Sequence, residues 1–229
     1  MKYSGWELAF FDSSKNFRDY QFHLIKKHLK NNILEIGPGN GTLAGNYLSK
    51  FFSKISVSEI DKKLNKKIVK KFKYKKNIKV YKKKINQFKN KFNSIIYSDV
   101  LEHIKEDKKE LSSALSRLNR NGCLIIMVPA FQYLYSDYDK SIGHFRRYRK
   151  KFFLDFAKKN KIKCEKIMYF DSIGYCFLVL SKLLNTKNKK SVGLGAFVWN
   201  LLVPISRIID MFIGHSIGKS LLCIYKKKP

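Results

Sequence analysis

Between an apolar run, Asn32-Ile33-Leu34-Glu35-Ile36, and a helix-forming stretch over 42–52, the chain reads Gly37-Pro38-Gly39-Asn40-Gly41. Three alternating glycines let a backbone turn sharply and approach a ligand with no Cβ in the way, and a following helix offers free N–H groups to an anion. That is the chemistry of a cofactor loop. A dinucleotide fingerprint would place its third glycine where Thr42 stands, and a phosphate loop would need Gly-Lys-Ser/Thr, so both nucleotide readings lose ground. The next apolar run, 54–60, ends in Glu59-Ile60-Asp61. Glu59 stands eighteen residues beyond Gly41, at a strand end where two carboxylate oxygens can accept both hydroxyls of a ribose. Asp61 fits better as the N-cap of a helix over 61–72.

Further along, Ser98-Asp99-Val100-Leu101-Glu102-His103-Ile104 and Tyr138-Asp139-Lys140-Ser141-Ile142-Gly143-His144-Phe145-Arg146-Arg147-Tyr148 gather titratable side chains. His103 and His144 are candidate bases for a hydroxyl acceptor, because imidazole titrates near neutral pH. Their alternatives are a packed residue at a helix start for His103 and a structural loop residue for His144. Only seven of the 48 basic residues are arginine, so the Arg146-Arg147 pair stands out: its planar forks suit a carboxylate or phosphate in a way lysine cannot copy. The competing reading pairs them with Asp137 or Asp139 to brace the loop.

These residues need a scaffold, and the patterning supplies one. Short apolar strands alternate with amphipathic helices without an internal repeat, as in α/β winding. Helices are expected over 17–30, 42–52, 61–72, 105–119 and 150–160, and strands over 32–36, 54–60, 78–82, 93–97, 123–128, 163–169 and 220–225. Asn121-Gly122 reads as a helix stop and turn. The 229 residues suit one domain: an N-terminal helix or lid over 1–30, a cofactor core over 31–130, and a substrate-side loop, cap helices and closing strands over 131–229. Trp6, Phe10, Phe11, Phe17 and Tyr20 are candidates for the lid, with core packing as the alternative.

A net charge of +31 with 45% hydrophobic residues describes a folded basic protein and excludes a disordered tail. The excess of Lys, Asn, Ile, Phe and Tyr follows A/T-rich codons, so the charge alone is a weak sign of polyanion binding. The lysines of 62–71 interleave with Leu64, Ile68, Val69 and Phe72, which reads as the solvated face of an amphipathic helix. Cys123, Cys164, Cys176 and Cys223 lack Cys-x-x-Cys or His partners at local metal-ligand spacing, so free thiols and no metal are expected. With no signal-like apolar N-terminus, the location expected is cytoplasmic. Of two apolar C-terminal stretches, 173–184 is too short to cross a bilayer and 192–213 holds Pro204, Arg207 and Asp210, so cap helices are expected, with contact at the membrane interface as a secondary reading.

Through Glu-x-Gly-x-Gly-x-Gly, the downstream Glu59 and Asp-Val-Leu-Glu-His, the chain resembles class I S-adenosylmethionine-dependent methyltransferases, the small-molecule group often labelled type 11 or type 12. The Asp-x-x-x-Gly-His-x-Arg-Arg-Tyr segment and the closing Ile217-Gly218-Lys219-Ser220-Leu221-Leu222 look like a bacterial branch of those enzymes. The resemblance implies a Rossmann-like three-layer sandwich whose seven-stranded sheet runs 3-2-1-4-5-7-6, the last strand antiparallel. It implies S-adenosylmethionine as cofactor, with Gly37, Gly39 and Gly41 along its methionine and ribose portion, Glu35 orienting the methionine amino group, Glu59 on the ribose and Asp99 near the methionine end. Lys82-Lys83-Lys84 stands where relatives often hold adenine with an acid, which leaves backbone or Asn86 for that task. Arg146, Arg147 and Tyr148 fall on the acceptor side. The expected acceptor is a small or lipid-linked molecule, anionic if an arginine reaches it. An RNA methyltransferase is the first alternative: Glu59-Ile60-Asp61 also resembles rRNA adenine dimethyltransferases, but Ser98-Asp99-Val100-Leu101 stands where their Asn-Pro-Pro-Tyr-like motif grips a flipped base. A catalytically silent binding module is the second.

Overall fold

The computed structural model describes residues 12–184 and 189–228, the side chains of 189–194 excepted. Seven strands form one sheet: β1 (Ile33–Ile36), β2 (Ile55–Ser58), β3 (Ile78–Tyr81), β4 (Phe92–Ser98), β5 (Leu118–Pro129), β6 (Lys163–Phe170) and β7 (Ser220–Lys226). Their spatial order is β3-β2-β1-β4-β5-β7-β6, parallel from β3 to β5, with β7 antiparallel to both β5 and β6. This is the order and polarity the resemblance implied. Every residue of β1 and β2 is buried, as parallel strands covered on both faces must be.

Side chains alternate between two cores. Ile33, Val57, Ile96, Ile125 and Leu222 meet α1 (Lys15–Lys26), α2 (Lys62–Phe72) and α7 (Lys189–Phe212) on one face. Leu34, Ile95, Leu124, Leu221 and Tyr225 meet α3 (Asp107–Ser116) and α5 (Lys150–Lys159) on the other. Two further helices, α4 (Asp137–Ser141) and α6 (Ser172–Leu183), follow β5 and β6. Asp61 caps α2 as expected, its carboxylate accepting from the Lys63 and Leu64 N–H groups at 2.9 Å.

Three local expectations change. The helix over 42–52 is a π-helical turn, Leu43–Tyr47, followed by a 3₁₀ turn, Leu48–Lys50. Gly45 there packs so closely on α2 that a Cβ would lie 2.9 Å from the Phe72 ring. Asn121-Gly122 does not stop a helix, because α3 already ends at Ser116. The pair sits in a bulge of β5, between the Phe92–Leu118 and Ser94–Cys123 pairings, with Asn121 left-handed at φ 58°. Of the aromatic lid candidates, Trp6, Phe10 and Phe11 lie outside the described residues, whereas Phe17 and Tyr20 are core. Phe17 meets Phe170 and Trp199, and the Tyr20 hydroxyl donates to Asp210 at 2.8 Å; their apolar bodies gain more from burial than from a wet cleft.

Candidate functional site

The loop after β1 takes the shape its glycines permit: Gly37, Gly39 and Gly41 have φ of 62°, 55° and 73°. Their lack of side chains is also a packing need. A Cβ on Gly37 would lie 2.7 Å from Val100, and one on Gly41 would lie 2.5 Å from Phe72. Two carboxylates attend the loop. Glu35 is buried in β1, with a hydrogen bond from the Ala44 backbone, and its Oε2 has no partner. Burial pushes its carboxyl up to about 7, against the pull of Arg18 and Lys71. Glu59 is also buried, just beyond β2, and accepts from the Asp61 N–H at 2.9 Å and from the Gly39 backbone. Burial raises its pKa and those backbone donors oppose the rise.

The N-terminal segment closes on this loop through a polar residue that sequence reasoning passed over. The Asp12 carboxylate accepts from the Asn40 amide and the Thr42 hydroxyl. Two lysines of the expected solvated face, both exposed, also reach the loop, Lys67 donating to the Asn40 side chain and Lys71 to its backbone carbonyl, each at 2.7 Å. Asn86 is exposed in the 3₁₀ turn Ile85–Gln87 after β3, and its backbone carbonyl lies 3.5 Å from Arg117.

At the far side of the loop, β4 is followed by Asp99, a left-handed residue with φ 56°. Its Oδ2 takes contacts of 3.3–3.4 Å from Arg18 and Gln21 of α1. Glu102 and His103 follow in a 3₁₀ turn, and the loop after β5 brings His144 onto them. The two imidazole rings meet edge to face with centroids 4.6 Å apart. Burial, aided by the His144 charge, pushes His103 down to about 4, so it is neutral at pH 7. Burial, reinforced by the Asp99 charge, holds the Glu102 carboxyl well above the usual carboxylate range.

Arg146, Arg147 and Tyr148 occupy this edge as clamps. Arg147 is buried and its Nε donates to Asp139 Oδ1 at 2.9 Å. Asp139 also accepts from the Ser136 N–H and bonds His144 Nδ1 at 2.8 Å; burial would raise its carboxyl, but His144 and Arg147 hold it below the usual range. Arg146 binds Asp107 at 2.8 Å and the Lys105 carbonyl at 2.9 Å, while the buried Tyr148 hydroxyl donates to Asp107 and the Leu101 carbonyl. The Phe145 N–H donates to the Glu102 carbonyl. These contacts fit the bracing alternative for the arginine pair, with Asp139 on Arg147 and Asp107 on Arg146: a buried guanidinium or phenol holds the partner that compensates its desolvation, and these join the β4 end to the β5 end.

A sheet in this order carries a glycine-rich turn after β1 and acids after β2 and β4. Residues 4–217 match the family model described as a methyltransferase domain. The chain belongs to the methyltransferase-domain family. No curated protein matches it significantly. Among solved structures, the phosphoethanolamine N-methyltransferase 2 of Haemonchus contortus, in complex with S-adenosyl-L-methionine, superposes with TM-score 0.64 at 14% identity, covering 97% of this chain and 57% of that one. An S-adenosylmethionine-dependent methyltransferase from Clostridium acetobutylicum gives 0.60 at 12% identity, covering 94% and 92%. The N-methyltransferase NodS of Bradyrhizobium japonicum gives 0.59 at 12%, covering 95% and 98%. At such identities the likeness is one of fold.

In this methyltransferase the glycine loop, Glu35, Glu59 and Asp99 come together with α1, and Glu102, His103 and His144 gather beside them. Glu102, Asp107 and Asp12 had no role in the sequence reading, because their contacts come from residues distant along the chain, whereas Asp139, eight residues before Arg147, is the brace that reading offered. A groove of about 670 Å³, lined by Lys54, Lys79, Lys83, Lys89 and Lys91 among others, has none of these residues in its lining.

Proposed function

We propose that this methyltransferase binds S-adenosylmethionine at the glycine loop and transfers its methyl group to a small or lipid-linked acceptor. When bound, the cofactor supplies an electrophilic methyl group for in-line displacement. The carrying observation is Glu35: a buried carboxylate with an orphan oxygen beside a glycine turn is costly unless a donor arrives to satisfy it, and the cofactor's ammonium is such a donor. Glu59 would take the ribose hydroxyls, with the Gly39 N–H already fixing its carboxylate. Asp99, held by Arg18 and Gln21, would stand at the methionine end. Asn86 or nearby backbone would meet adenine. Alignment and exclusion of water are the protein's main contributions to such a displacement. The Gly-His-x-Arg-Arg-Tyr segment supports placing the chain in the bacterial branch it resembles, with that segment as the brace between the two strand ends.

The lipid-linked part of the reading rests on α6 and α7. Inward, α7 sets Trp199, Val203, Ser206 and Asp210 against the body; outward, Phe197, Leu201, Ile205, Ile208 and Phe212 are exposed, Phe212 at 87%. By length and composition Gly195–Phe212 could cross a bilayer. Its inner stripe is committed elsewhere: Asp210 accepts from the backbone of Asp171 and Ser172, and Ser206 donates to Asp171. An apolar stripe opposite a packed stripe suits a helix lying in the lipid interface, and a charge of +31 suits anionic headgroups. Leu180 and Leu183 of α6 extend the apolar surface. α6 is tied to the β5 loop by the Tyr133–Tyr175 hydroxyl contact and by Lys182 on the Tyr133 carbonyl. We therefore propose that the enzyme docks peripherally on a membrane, on the cytoplasmic side if the location expected from the sequence holds.

Calorimetric titration with S-adenosylmethionine tests the cofactor; folded protein that gives no binding heat overturns the enzyme reading in favour of a silent module. Labelled methyl transfer into a cell extract, separated into lipid, RNA and small metabolites, tests the acceptor. Label confined to RNA, with binding that weakens steeply in salt, would replace the lipid reading and give the lysine-lined groove a role.

A further inference from the structure

The edge beside Asp99 holds a group of side chains that methyl transfer from a sulfonium does not by itself require. Glu102, His103 and His144 each offer one ligand atom, and these atoms lie within 4.8 Å of one another. The pair His144 Nε2 and Glu102 Oε1 is 3.8 Å apart. Ligands on a tetrahedral zinc ion at about 2.0–2.1 Å stand about 3.4 Å from one another, so small side-chain rotations would close the set.

Two further features point inward to a cation. Glu102 is 0% exposed, and among the described residues its carboxylate has no hydrogen-bond partner beyond its own backbone N–H. A wholly buried carboxylate left this way is among the costlier arrangements a core can contain. It is aimed at an imidazole nitrogen. His144, for its part, has the support typical of a metal ligand: Nδ1 is engaged by Asp139 at 2.8 Å. With Nδ1–H directed at Asp139, the neutral ring would present its Nε2 lone pair toward Glu102. Asp139 is held in turn by Arg147 and by the Ser136 N–H. The chain from Arg147 through Asp139 to His144 is a carboxylate–histidine support built across the loop.

We propose that Glu102, His103 and His144 bind one divalent transition cation of the zinc type, with an open coordination position for an oxygen of the methyl acceptor. Two imidazoles and a carboxylate favour zinc, cobalt or manganese over magnesium. Three protein ligands leave room for a water or a substrate oxygen, which the ion would acidify. His144 Nε2 then serves as a ligand and not as a general base; the ion would lower the pKa of the coordinated acceptor hydroxyl, whose proton leaves to water. The metal site stands on these contacts alone; only the acceptor's use of it rests on the proposed methyl transfer.

The test uses the full chain, stripped with chelator and checked for its native far-UV spectrum. Titration with Co²⁺ is followed by visible absorption and with Zn²⁺ by calorimetry, in the absence of S-adenosylmethionine and of any acceptor. One equivalent per chain is expected, with Mg²⁺ failing to compete. Glu102→Gln and His144→Gln should each weaken binding by about 100-fold or more. Asp139→Asn, which leaves the ligands in place and alters their support, should weaken it about 10- to 100-fold. Folded wild-type protein that takes up no cation overturns the proposal, as does unchanged affinity in folded His144→Gln and Asp139→Asn variants. Because cofactor binding is read in a separate titration, loss of the metal site would leave the cofactor reading standing.

Discussion

Replacing Glu35 by glutamine should move apo stability and cofactor affinity in opposite directions. The carboxyl ionises near 4.5 in an unfolded chain and near 7 in the folded protein, raised by burial. Between those values the folded state holds a proton that the unfolded state has lost. Stability therefore falls as pH rises from about 4.5 to about 7 and is flat above, by a total of about 3 kcal/mol from this group. Glu35→Gln removes that component, so the variant gains on the wild type across this window and keeps the gain at pH 8. Binding behaves in the opposite way. An ammonium on ionised Glu35 is a charge-assisted pair worth about 1.5–3 kcal/mol, so the variant should bind S-adenosylmethionine about 10- to 150-fold more weakly at pH 8. Wild-type affinity should climb toward pH 7 and then level off, with proton release on binding below pH 7. Urea unfolding at pH 5 and pH 8, with calorimetry in buffers of different ionisation enthalpy, reads both effects. A variant that binds the cofactor as tightly as the wild type, or that loses stability at pH 8, would refute the assignment of Glu35 to an incoming cation.

Gly41→Ala places a Cβ 2.5 Å from the Phe72 ring at a φ of 73°, so a loss of about 2–4 kcal/mol in denaturant unfolding is expected from overpacking and left-handed strain, together with weakened cofactor binding. Arg147→Lys keeps the charge but loses the directed Nε bond to Asp139; a drop of about 1–3 kcal/mol in stability with unchanged cofactor affinity should result, and a raised acceptor KM with full stability would restore the substrate-contact reading. Ile205→Glu with Ile208→Glu, on the outward stripe of α7, should abolish co-sedimentation with vesicles of mixed phosphatidylcholine and phosphatidylserine and leave cofactor binding intact; a dimer in solution that the same pair dissociates would instead identify a second copy as the occupant of that face.

How far the chain could be read in advance depended on whether the deciding interactions were local. The turn from β1 into the glycine loop, the Asp61 cap and the placement of most strands follow from spacing, strand period and side-chain capping within a few residues. The same local rules stopped short at residues 42–52, where the closeness of Phe72 to Gly45 accompanies a π turn, and at Asn121-Gly122, whose bulge is defined by its partner β4. Glycines, Glu35 and Glu59 were legible as a constellation because one strand–loop–helix unit and its neighbour carry them. The other half of the site has no local signature. Glu102 and His144 lie 42 residues apart, and only the adjacency of β4 and β5 in the sheet brings them to 3.8 Å. Arg147's partner Asp139, eight residues away, was already among the braces the spacing offered, whereas Arg146's partner Asp107, 39 residues away, was not. Spacing along a chain reports what side chains could do; a buried charge's actual role is set by which partner the tertiary fold places beside it.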